Sequence, residues 1–145
     1  MMNARYEQNT GYAETAPRLQ HPLSNLYQSF IAWSSVYDAV DYESEQEQRK
    51  EQVDRRLDEF RNRYLPRSVW MDRRTRRTIE KFIEKCEVLR SEFAHDIHEH
   101  GYVRVRTNIA DRVSGELRPL KKEIESNLWA EIEEAPPPRR RIFGG

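Results

Sequence analysis

Residues 90–100 read RSEFAHDIHEH and hold three of the chain's four histidines, His95, His98 and His100. Glu92, Asp96 and Glu99 are interleaved with them, and Arg90 lies five residues before the first. Side chains of these types can do two kinds of chemistry. Imidazoles and carboxylates together ligate transition metals. An imidazole beside a guanidinium can instead move a proton while phosphate charge is stabilised. Glu92-x-x-His95 has the ligand spacing of helical di-iron carboxylate sites, which need a second such pair and two further glutamates facing inward. No second Glu-x-x-His occurs. On a helix His95 points nearly opposite the apolar stripe of its segment, and Glu92, His98 and Glu99 share the polar half. No metal site is expected.

The rest of the chain offers little reactive chemistry. Cys86 falls within the apolar stripe, so a buried, inert thiol is expected. Ser-His-Asp spacings and paired cysteines are missing, and 5 Gly in 145 residues make a phosphate cradle unexpected, so no cofactor is implied. The RRTRR run at 73–77 and the basic residues between 104 and 122 suggest a polyanion. Yet 25 basic residues are balanced by 25 acidic ones, and no aromatics interleave the basic runs, so nucleic acid is not an expected partner.

These side chains must be carried by helices. The length fits one domain, and scarce Gly and Pro beside abundant Arg, Glu and Leu favour helix over sheet. No apolar run approaches the roughly 18 residues that span a bilayer, so no membrane insertion is expected. The N-terminal residues lack the apolar stretch of a signal peptide, and a single cysteine fits a reducing compartment. A cytoplasmic location is expected.

The spacing predicts an all-α, four-helix antiparallel bundle. Residues 1–21 read as a disordered segment, 22–134 as the helical domain and 135–145 as a flexible Pro/Arg-rich tail. A first helix over 22–40 starts at Pro22 and is apolar around more than half its circumference. The second, over 44–64, has the narrow stripe Val53, Leu57, Phe60 and Tyr64, and ends before Pro66. The third, over 72–100, is capped by Asp72 and stopped by Gly101. Its stripe is Ile79, Phe82, Ile83, Cys86, Leu89, Phe93 and Ile97. The fourth, over 103–133, carries apolar residues at steps of four or three from Val105 to Ile132, with a kink expected at Pro119.

Charge alternates in blocks along the last two helices. Folded as an antiparallel hairpin about Gly101, they place Glu80 near Lys121 and Lys122, Glu84 near Arg118, and Glu92 near Arg112. The RRTRR run then meets Glu131, Glu133 and Glu134. Each pair contributes little alone, but together they select one register.

Two segments look suited to a partner. The aromatic stretch 30–37 is either core or an interface, with Phe30, Trp33 and Tyr37 as its anchors. In the tail, Arg139, Arg140 and Arg141 could steer and Ile142 and Phe143 anchor a docking peptide.

Two resemblances add to this reading. Arg90-Ser-Glu-Phe-Ala-His95 fits the R-x4-6-H pattern and so resembles the HEPN family, although Ser91 stands where that family usually has Asn, Asp or His. The resemblance implies metal-independent RNA cleavage by a dimer, with Arg90 stabilising phosphate charge and His95 in acid–base work. The layout W-x3-Y-x-A (33–39), L-x2-F-R-x2-Y (57–64) and W-M-D-x2-T-R-R-x-I-E-x-F-I (70–83) is similar to helical domains of uncharacterised prokaryotic proteins. Those domains often follow a transmembrane or coiled-coil segment, and no activity attaches to them.

Long helices with narrow stripes make a thin bundle with a small core. The expectation is therefore a non-enzymatic protein–protein interaction module (scaffold, adaptor or small subunit), covered by a protein partner or a second copy in a homodimer. The ribonuclease implied by the HEPN resemblance is the alternative.

Overall fold

A computed structural model describes residues 4–35 and 41–134, with side chains described for 18–35, 41 and 43–130. Its elements are α1 (Ala4–Ser34), α2 (Tyr42–Arg67), a 3-10 turn (Ser68–Trp70), α3 (Arg73–His100), α4 (Tyr102–Arg112), a π-helical turn (Val113–Leu117) and α5 (Arg118–Glu134). No strand occurs among the described residues. The last three elements form one continuous arm, so four helical arms pack together.

Local chemistry sets most of the boundaries. Asp41 and Asp72 have extended backbones, and their carboxylates accept from Ser44 N at 3.1 Å and Thr75 N at 2.8 Å, satisfying donors that a helix start leaves free. Gly101 ends α3 at φ 82°, ψ 149°, a conformation that side-chain-bearing residues avoid, and its N–H bonds Ile97 O at 2.8 Å. The third-helix expectation holds to within a residue. α2 runs past Pro66 to Arg67 before tightening into the 3-10 turn.

The first helix differs. It begins at Ala4, not near Pro22, so residues 4–21 are helical where a disordered segment was expected. A proline inside a helix costs about 3 kcal/mol through its missing donor and ring clash. Leu19, Leu23, Leu26, Phe30 and Trp33 step by four and three, and all are essentially buried, as is Pro22 itself. Of these only Leu19 precedes Pro22, and burying such a side chain contributes about 1.5–3 kcal/mol, which offsets much of the proline's cost. Residues 36–40, expected to complete this helix, lie outside the described residues.

The α3–α4–α5 hairpin adopts the expected register. Arg112 pairs with Glu92, Lys85 with Glu116 at 3.2 Å, and Asn127 Nδ2 donates to Thr78 Oγ1 at 3.5 Å. Other partners differ from expectation. Glu80 accepts from Tyr64 Oη at 2.9 Å, while Lys121 bonds Glu125 at 3.1 Å and lies over the Tyr27 ring. The side chains of Glu131, Glu133 and Glu134 lie outside the described residues.

Just ahead of Pro119, where a kink was expected, the arm carries a π turn in which Arg118 N–H bonds Val113 O. Two causes meet there. Val105, Ile109, Val113 and Leu117 are all buried although they step by four three times running. In a regular helix that spacing rotates the last residue about 120° off the face of the first, and a wider turn cancels much of the drift. Pro119 also has no N–H for Gly115 O, so the α pattern is interrupted at that point in any case.

The C-terminal carbonyls of α1 are met by side chains from other helices. Arg49 donates to Ala32 O and Arg106 to Ser34 O, while Tyr102 Oη shares its proton between Trp33 O at 2.5 Å and Ser35 O at 2.8 Å. Tyr102→Phe leaves these acceptors short of a donor, so a loss of about 1–3 kcal/mol is expected in urea unfolding. A loss within a few tenths would mean that this hydroxyl does not hold the helix end.

Candidate functional site

The RSEFAHDIHEH stretch forms the last three turns of α3. Arg90 lies flat against α2, with Nε 2.7 Å from Asp54 Oδ1 and Nη2 2.8 Å from Asp54 Oδ2. Hydrogen bonding to Asp54 raises the guanidinium above its ordinary value. His95 is exposed and sits about 140° around the helix from Arg90. Arg90 is engaged by Asp54. Glu92 is held by Arg112, which also grips Glu116. Hydrogen bonding to Arg112 holds the Glu116 carboxyl below the usual carboxylate range. Among the described residues no three His, Cys, Asp or Glu side chains are placed to share a metal ion. Cys86 is buried, and burial pushes its thiol up.

Phe30 and Trp33 belong to the core, 0% and 1% exposed. They stack with Phe93 edge to face, at centroid separations of 6.4 Å and 5.9 Å, and present no aromatic face to a partner. Of the two readings of the 30–37 stretch, core is the one these residues adopt, because the stripe they share with Leu19, Leu23 and Leu26 faces inward. Tyr37, Arg139, Arg140, Arg141, Ile142 and Phe143 lie outside the described residues.

Sequence reasoning missed a groove between the start of α2 and the α3–α4 turn. Two adjoining pockets of about 240 Å³ and 470 Å³ share Glu43, Gln46 and Ile97. The smaller is lined by Trp33 and Ala94 beneath a rim of Glu47, Lys50 and His98. The larger continues past Gly101 to Tyr102 and Val103, the latter 77% exposed. Trp33 Nε1 is buried and has no hydrogen-bond partner among the described residues. Leaving a buried donor unmade costs about 1–3 kcal/mol, a cost that the packing of the core around Trp33 carries. A larger pocket of about 500 Å³ opens between α3 and α5, but its lining is wholly polar: Arg73, Arg74, Arg77, Thr78, Lys81 and Glu123.

The fold gathers the charge blocks into two ends. The half containing the groove (41–54 and 87–116) carries twelve acidic and six basic side chains. The other half (18–25, 55–86 and 117–130) carries fifteen basic and seven acidic. A neutral chain thus folds into a molecule with one acidic and one basic end. Among the described residues no helix is long and apolar enough to cross a membrane.

Set beside models of known protein families, curated proteins and solved structures, the chain matches none of them.

Proposed function

We propose that the chain is a non-enzymatic protein-interaction module, acting as scaffold, adaptor or small subunit, which takes an extended segment of a protein partner into the groove between α2 and the α3–α4 turn. The observation that carries this reading is the cleft walled by Ala94, Ile97 and Val103 where α2, α3 and α4 meet. A peptide supplies apolar side chains for such walls. The chemistry-bearing residues elsewhere serve the fold. Arg90 braces α2 through Asp54, Arg112 ties α3 to α4, and Cys86 fills the core.

Panning a random peptide library against the immobilised protein tests this. Peptides should emerge that lose at least about tenfold in affinity, or 1.4 kcal/mol, against Ile97→Arg or Val103→Arg. Both positions are solvent-accessible, and circular dichroism checks that the variants fold. Failure to enrich any peptide, or equal binding to wild type and both variants, sinks the reading.

A further inference from the structure

We infer that the chain has a second contact surface, at the far end of α2 and α3 from the groove, which docks on an anionic lipid surface. Leu65 and Val69 flank the turn that joins the two helices, and Arg73, Arg74, Arg77 and Lys81 follow on the first turns of α3. Arg74 and Ile97 of the groove are about 35 Å apart along α3, so the two surfaces are distinct. Contact in the headgroup layer needs no membrane-spanning helix.

Charge is one support. Residues 63–81 hold seven basic side chains against two acidic ones, Asp72 and Glu80. Both carboxylates are engaged locally: Asp72 caps α3, and Glu80 accepts from Tyr64 Oη. With Arg118–Glu134 of the adjoining arm and its five glutamates included, the balance is still ten basic to seven acidic. Arg73, Arg74, Arg77 and Lys81 line an open pocket of about 500 Å³ with Thr78 and Glu123. None of these four cations makes an ion pair among the described residues.

Their placement also works against the helix that carries them. Arg73 and Arg77, then Arg77 and Lys81, stand four residues apart, where like charges repel. The first turn, at the positive end of the helix dipole, has three arginines and no carboxylate beyond the Asp72 cap. A layer of lipid phosphates relieves both strains at once.

Exposed apolar side chains are the second and independent support. Leu65 is 57% and Val69 75% exposed. Pro66 between them is exposed as well, and Trp70 is half-buried. The Tyr64–Glu80 bond sets this end of α2 level with the first two turns of α3. Val69 is four residues from Arg73, hence at most about 14 Å from it. Aliphatic side chains at a projecting turn beside unpaired cations match the layering of a bilayer surface, phosphate outside and hydrocarbon beneath. Nucleic acid offers the same phosphates, but it is gripped by stacking aromatics rather than by Leu and Val.

Co-sedimentation of the full chain with vesicles tests the docking. Phosphatidylcholine vesicles with about 30% phosphatidylserine should bind it at least about tenfold more tightly than phosphatidylcholine alone, and added salt should weaken that binding. Arg74→Glu/Arg77→Glu and, separately, Leu65→Ser/Val69→Ser should each weaken it at least about tenfold. Arg74→Lys/Arg77→Lys keeps the charge and should stay within about threefold of wild type. All four positions are exposed, and circular dichroism checks the fold. Ile97→Arg should leave vesicle binding no weaker, so this surface and the groove stand or fall separately. Absence of binding to the anionic vesicles overturns the docking, as does undiminished binding by either the Glu or the Ser pair. A single-stranded RNA oligonucleotide that displaces the vesicles, and binds the Ser pair as well as wild type, would give this face to nucleic acid instead.

Discussion

Phe93→Ala should lower stability by about 3–5 kcal/mol, the range for deleting a buried aromatic and leaving a cavity. Phe93 is fully buried where α1, α3 and α4 meet. Its ring stands edge to face against Phe30 and Trp33, and the Arg112 guanidinium lies 5.7 Å from its centroid. Each aromatic pair contributes about 0.5–1.5 kcal/mol beyond its buried area, so truncation removes specific contacts as well as volume. It also strips the wall behind Trp33, and with it the floor of the groove. Total stability for a domain of this size is commonly about 5–15 kcal/mol, so the variant should be partly unfolded or close to it. Urea unfolding followed by far-ultraviolet circular dichroism measures this. A loss below about 1 kcal/mol would show that the three helices do not converge on Phe93.

Native Cys86 should react with a water-soluble disulfide reagent at least about a thousandfold more slowly than the same residue in the unfolded chain. Two effects combine. The side chain is wholly buried on the inner face of α3, so the reagent meets it only when the bundle opens. Burial, and secondarily the charge of Glu87, also pushes the thiol up, which suppresses the thiolate that attacks. Comparing rates with and without denaturant gives the ratio, and adding urea below the transition should raise the native rate steadily. Prompt reaction of the native protein would be incompatible with α3 packing through this stripe.

Much of the hairpin was legible because its signals are local. Asp72 and Gly101 act on backbone groups within one turn. The stripe from Ile79 to Phe93 repeats with the helix period, and Glu92 meets Arg112 because a short turn leaves little freedom of register. The Arg90–Asp54 fork was not legible. The two residues are 36 apart, and their meeting depends on how α2 lies against α3. Nor was the groove, since Trp33, Glu43, Ile97 and Tyr102 come from four helices. A lone signal existed in Trp33, whose polar nitrogen inside an apolar stripe asks what it bonds.

The sequence by itself determined the helical class, the cap of α3, the antiparallel hairpin and the blockwise segregation of charge. These follow from propensities and pairings that act over one or two helical turns. Only the tertiary structure decided that α1 continues through Pro17 and Pro22, that Phe30 and Trp33 are core, and that the arm before Pro119 widens into a π turn. At Pro17, Pro22 and Pro119 a local backbone penalty opposes the packing of large side chains against helices distant in sequence, and for Phe30 and Trp33 the choice lay in which helices assemble around them. That packing exists only once the helices have assembled, so no window of one or two turns reports it.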